Sequence, residues 1–139
     1  MSTTSVQDYV KAIYHLGKRQ SVSTQSIADR LGLTPAAVSK MLRSLRRDGL
    51  VHHKPYHGAR LTEEGFRLAE EMVRHHRLLE RYLVERLGFP EDQVHEQAET
   101  LEHHISEEFE DRISEIMGHP TECPHGSPIP PKRCHENVG

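Results

Sequence analysis

Tryptophan is absent from this chain, cysteine occurs only twice, and aromatic residues make up 5% of the whole. Two cysteines, Cys123 and Cys134, both late in the sequence, do not make a disulfide framework, so a reducing cytoplasm is the expected location. No run of about 18 apolar residues occurs, so no membrane span is expected. The opening, MSTTSVQDYVKAIYHL, has no basic stretch followed by an apolar one and does not read as a signal peptide. Catalytic signatures are missing as well: there is no HExxH, no nucleophile elbow and no glycine-rich phosphate loop. An enzyme is therefore not expected. The 139 residues, 35% of them hydrophobic, suffice for one compact domain or two small ones, with a partner subunit available to bury more surface.

What is present is an uneven charge distribution. The net charge of −3 is the sum of a basic first half and an acidic, histidine-rich second half. A polyanion suits the first half as partner, and cations suit the second.

Helical spacing of Val6, Tyr9, Val10, Ile13, Tyr14 and Leu16 predicts an amphipathic helix over 5–17. In SVSTQSIADRLG, Ser23 or Thr24 suits an N-cap and Gly32 a C-terminus. In LTPAAVSKMLRSLRRDGL, Thr34 suits an N-cap, Pro35 the first helical position and Gly49 the stop. VHHKPYHGARLT reads as a hairpin turning at Tyr56, His57 and Gly58. Thr62 then caps a long helix reaching about Gly88, and residues 89–118 supply one or two more. The proline-rich remainder has no periodicity and reads as a loop or a pinned tail.

Two short helices joined by GLT and followed by a hairpin match a winged helix-turn-helix. The second helix would enter the major groove. Thr34, Pro35, Ala37, Ser39, Lys40, Arg43 and Arg47 lie on its outer face, and Lys54 and Arg60 lie on the wing. Hydroxyls, lysines and arginines are the groups that contact bases and phosphates. A helical core with a solvated basic face is the bland alternative. The joint occurrence of caps, apolar spacing, one-sided basic residues and hairpin favours DNA.

In the second half, ETLEHHI puts Glu99, Glu102 and His103 on one helical face, with His95 one turn earlier. His76 and Glu80, four apart, form a second pair. Asp8 on the first helix is a further carboxylate. Carboxylates and imidazoles without sulfur suit Mn(II) or Fe(II) and do not exclude Zn(II) or Co(II). From spacing alone, a solvated polar face and a metal site account for these residues equally well. In the tail, Cys123, His125, Cys134 and His135 have the atoms of a zinc site, but their irregular spacing favours a plain loop.

Taken together, DYVKAIYHL, the helix-turn-helix, RRDGLV, LTEEG, RHHRLLERYL and VHEQAETLEHHIS resemble the diphtheria-toxin-repressor family, closest in ligands to its manganese-transport-regulator branch. CPHGSPIP is similar to a loop of the same family. The resemblance implies a mainly α protein. A winged helix-turn-helix over 1–65 would precede a helical dimerisation and metal-binding domain over 66–118 and a tail over 119–139. It implies a homodimeric repressor of metal-uptake genes, activated by Mn(II) or by Fe(II), with Co(II) or Zn(II) substituting in vitro. The expected partner is double-stranded DNA with a pseudo-palindromic operator. It further implies a primary metal site of Asp8, Glu99, Glu102 and His103, and an ancillary site of His76, Glu80 and His95. Manganese-type members with paired metals have glutamate where Lys11 stands. Lysine is no charged ligand, so two separated sites are expected in place of a close pair. The residues end before the SH3-like third domain of longer members, so no ligands are expected from it. A regulator that senses zinc or no metal is the alternative, with a small metalloenzyme behind it.

Overall fold

The computed structural model describes residues 4–54 and 57–132. Tyr56 of the hairpin turn and Cys134 and His135 of the tail lie outside the described residues. The architecture is mainly α, as the sequence predicts. It comprises α1 (Thr4–Gly17), α2 (Thr24–Leu31), α3 (Pro35–Arg47), β1 (Val51–His53), β2 (Ala59–Leu61), α4 (Glu63–Leu87), α5 (Val94–Leu101) and α6 (Glu107–Ile116). The chain divides into two compact units, 1–70 and 71–139, and α4 continues from one into the other.

The first unit is a winged helix-turn-helix whose punctuation follows local chemistry. Ser23 Oγ accepts the Ser26 N–H at 3.0 Å and starts α2; Thr34 Oγ1 accepts the Ala37 N–H at 3.2 Å and starts α3. Each cap satisfies a backbone donor that has no partner inside the helix. Gly32, at φ 67°, lets the chain leave α2 in the left-handed region, and Leu33 N–H returns to Ala28 O at 3.0 Å. Apolar faces then meet: Val10 and Ile13 of α1, Ile27 of α2, and Val38, Leu42 and Leu45 of α3 are fully buried.

β1 and β2 pair antiparallel, with Val51 opposite Leu61 and His53 opposite Ala59. Val22 adds a rung: its N–H donates to Ala59 O at 2.8 Å, and Ala59 N–H donates to Val22 O at 2.9 Å. That third segment runs so close to the hairpin that a Cβ at Gly58 would collide with the Val22 carbonyl, and Gly58 also has φ 73°. Thr62 Oγ1 accepts the Gly65 N–H at 3.1 Å and donates to Gly49 O at 2.7 Å, so one hydroxyl caps α4 and ties it to the turn after α3.

In the second unit, Leu78, Leu79 and Leu83 of α4 pack with Val94 and Ala98 of α5, Ile113 of α6 and Ile129 beyond it. Ser106 Oγ accepts the Phe109 N–H at 3.1 Å and starts α6. The proline-rich segment is pinned along α4. Arg74 donates to Pro130 O at 3.0 Å, Arg77 to Pro128 O at 2.5 Å and Arg81 to Glu122 O at 2.8 Å. Prolines cannot donate backbone hydrogen bonds, so their carbonyls are what this segment offers, and arginines meet them.

Candidate functional site

In the first unit, eight of the nine predicted DNA-facing residues are exposed: Thr34, Pro35, Ala37, Lys40, Arg43 and Arg47 at α3, and Lys54 and Arg60 at the hairpin. Ser39 is half-buried. A groove beside the hairpin is lined by Lys54 and Arg60 and also by Arg19, Arg46, His52 and His57. Arg19 and His52 escaped the sequence reading, because Arg19 lies just beyond α1, far in sequence from the hairpin. Its guanidinium is held 2.8 Å from Glu63 and 4.0 Å above the Phe66 ring. The result is a concentration of cationic and hydrogen-bonding groups on α3 and the hairpin, suited to a phosphate backbone.

Asp8 and Lys11 also belong to this unit, on α1. Asp8 is half-buried and Lys11 is buried.

In the second unit, members of the two predicted ligand sets adjoin at His76: Glu99 and Glu102 of the first, Glu80 and His95 of the second. His76 Nε2 is 3.1 Å from Glu80 Oε1 and 3.1 Å from His95 Nδ1. On its other side, Nδ1 is 3.4 Å from Glu102 Oε1 and 3.6 Å from Glu99 Oε1. His95 Nε2 is 3.4 Å from the same Glu99 oxygen. Helical periodicity accounts for the convergence: His76 and Glu80 are one turn apart on α4, and His95 and Glu99 one turn apart on α5.

The helix carrying ETLEHHI is shorter than its spacing suggests. α5 ends at Leu101, Glu102 is its C-cap, and His104 N–H closes back on Leu101 O at 2.9 Å. Ser106 begins the next helix, so the chain must change direction in between. Glu102 keeps helical backbone angles (φ −58°, ψ −27°) and stays on the face of Glu99, whereas His103 lies half-buried in the turn.

The tail contributes what sequence spacing had set aside. Glu80, Cys123 and His125 bring ligand-type atoms within 4.8 Å of one another, as do His76, His95 and Glu99. His125 Nδ1 is 3.3 Å from Glu80 Oε2, and its Nε2 donates to Glu91 O at 3.1 Å. Cys123 is buried. The Pro-Gly turn chemistry of CPHG was the available signal. Its distance in sequence from Glu80 hid the partnership.

Electrostatics favour a cation here. Burial pushes the Glu80 carboxyl up, but its hydrogen bond with His76 and the charges of His76, His125 and His95 outweigh that and hold it below its ordinary value. Glu80 is thus an ionised side chain in a buried place. Its Oε2 accepts no hydrogen bond of good geometry among the described residues. Donor atoms on one first-row divalent ion, bound at about 2.1 Å, stand about 3 to 4 Å apart. The spacings around His76 and Glu80 match that requirement, and the donor set of carboxylate, imidazole and one thiol fits a transition metal.

Known proteins share this organisation. Residues 1–59 match the family described as iron dependent repressor, N-terminal DNA binding domain. Residues 62–131 match its metal binding and dimerisation domain. The diphtheria toxin repressor of Corynebacterium efficiens is 38% identical over 123 residues, which cover 88% of this chain and 54% of that protein. This chain therefore spans about half the length of that relative. The regulator MntR of Lysinibacillus sphaericus is 34% identical over 118 residues, which cover 84% of each chain. A solved manganese-dependent transcriptional repressor in complex with manganese superposes with a TM-score of 0.83 at 42% identity, over 91% of this chain and 58% of that one.

Proposed function

Because this chain belongs to the iron-dependent, diphtheria-toxin-type repressor family, we propose that it is a homodimeric, metal-activated DNA-binding repressor of metal-uptake genes. The observation that carries the metal part is His76, with Glu80, His95, Glu99 and Glu102 all within 3.6 Å of its ring nitrogens or of one another. The proposed ligands are His76, Glu80, His95, Glu99 and Glu102, with His103 and Asp8 carried by the family resemblance. A divalent ion bound there supplies positive charge and a fixed coordination geometry. The neighbouring imidazoles hold the Glu80 carboxylate ionised.

Mn(II) is the proposed effector, since hard carboxylate oxygens dominate the His76 group. Raw affinity is weakest for Mn(II) among the first-row ions, so selectivity must come from coordination geometry. DNA is contacted through α3 and the hairpin, with Lys40, Arg43, Arg47, Lys54 and Arg60 on phosphates or bases. Exposed Leu101, Phe109 and Ile116 in the second unit support self-association. A cytoplasmic location belongs to the same reading.

The test is a DNA-binding titration against Mn(II), Fe(II), Co(II) and Zn(II), under anaerobic conditions for iron. DNA affinity that rises with metal, most at Mn(II), supports the proposal. Metal-independent binding defeats it. One observation favours a second reading. The Cys123 thiol beside Glu80 and His125 is a soft ligand, so activation by Zn(II) or Fe(II) in place of Mn(II) would identify that group as the sensing site.

A further inference from the structure

His75 precedes His76 on α4, but the helical advance turns its ring toward different partners. It is buried, with 6% of its side chain exposed. Its Nε2 donates to Glu110 Oε2 of α6 at 2.8 Å. Its Nδ1 lies 3.4 Å from the backbone carbonyl of Glu102, the residue that ends α5. The other Glu110 oxygen accepts from Arg74 Nε at 2.5 Å, and Arg74 Nη1 donates to Pro130 O at 3.0 Å. Glu110 is itself buried, with 3% of its side chain exposed. Three helices and the proline-rich segment therefore meet at one imidazole and one carboxylate.

The Glu102 carbonyl lies where helical carbonyls run out of intrahelical donors. A ring fixed from behind by Glu110 can hold it. The same residue sends its carboxylate to within 3.4 Å of His76. Glu102 thereby faces adjacent histidines of one helix turn, its carbonyl toward His75 and its carboxylate toward His76.

We infer that His75 is a positioning residue: anchored by Glu110 and Arg74, it holds the Glu102 backbone and so aims the Glu102 carboxylate at the metal. This inference rests on the reading of Glu102 as a ligand. Partners that orient ligands from outside the coordination sphere commonly change metal affinity by about 10- to 100-fold.

The experiment uses the full chain and Mn(II), with free ion counted by electron paramagnetic resonance and Co(II) absorption reporting ligand geometry. His75→Ala and Glu110→Ala should each weaken Mn(II) about tenfold or more and alter the Co(II) spectrum, with helix content unchanged. The double variant should lose no more than the larger single loss, since both act through one path. His75→Gln keeps a donor of similar reach and should fall between wild type and His75→Ala. If His75→Ala does not fold, His75→Gln decides: wild-type Mn(II) affinity and Co(II) spectrum overturn the inference. Glu102→Gln runs in parallel. Weakened Mn(II) binding in Glu102→Gln beside an unaffected His75→Ala sinks the positioning role alone. An unaffected Glu102→Gln sinks the ligand reading and this inference with it.

Discussion

Glu80 in the second unit is ionised and buried, and it faces three imidazoles and a thiol. Glu80→Gln keeps its shape and removes its charge. It should weaken Mn(II) and Zn(II) binding together, because both candidate ligand groups draw on this side chain, and isothermal titration would show it. Unchanged affinity for both ions would remove Glu80 from the set. Burial pushes the Glu110 carboxyl up, but His75 and Arg74 outweigh that and hold it below its ordinary value of 4.5. Burial pulls the His75 imidazolium down, but the Glu110 bond and charge, with Glu71 and the Glu102 carbonyl, leave it above its ordinary 6.5. A carboxylate lowered on folding contributes stability above its unfolded value and loses it as pH falls through the folded one. An imidazole raised on folding contributes below its unfolded value and loses it as pH rises through the folded one. The pair's contribution is therefore fullest between 4.5 and 6.5. In urea unfolding of metal-free protein, the stability gap between wild type and Glu110→Gln should peak in that window. A gap constant from roughly pH 4 to 9 would contradict the ionised pair. At this scale the sequence was only partly legible. His76, Glu80, His95, Glu99 and Glu102 stood out because they recur at helical spacing. The association of Cys123 and His125 with Glu80 did not, because no periodicity links a loop to a helix turn 43 residues earlier.

Among the elements, α3 and the hairpin were the most readable, since caps and turns are local chemistry. Thr34 and Pro35 act within four residues of where they stand. The end of α5 was less readable: Glu99, Glu102 and His103 fit a continuing helix, and only the Ser106 cap tells that the chain has to break first. Thr34→Ala should cost about 1 kcal/mol of stability through the lost cap. Gly58→Ala should cost more, because it adds a collision with Val22 O to an unfavourable φ. Equal losses in thermal unfolding would show that the hairpin relaxes around the new methyl. On the exposed face of α3, Arg43→Ala should reduce the slope of log affinity against log salt by roughly 0.9 if it removes one phosphate contact. An unchanged slope would take Arg43 off the DNA backbone.

For the whole molecule, one recognition helix reads few base pairs, and a two-fold dimer doubles the reading. Half-sites one helical turn or a multiple apart are then expected. Charge asymmetry between the halves already suggested two tasks. In the proposed function, metal shifts an equilibrium only by its differential affinity for two states, and a swing from 1:99 to 99:1 takes about 5.5 kcal/mol. The most direct measurement enriches duplexes from a random pool with the Mn(II)-loaded chain, then follows affinity for the winner before and after chelation by EDTA. The expected result is a pseudo-palindromic duplex bound by a dimer, with affinity that collapses on chelation and returns with Mn(II), and a Glu102→Gln protein that does not respond. An asymmetric duplex held by a monomer, or affinity indifferent to EDTA, would contradict it.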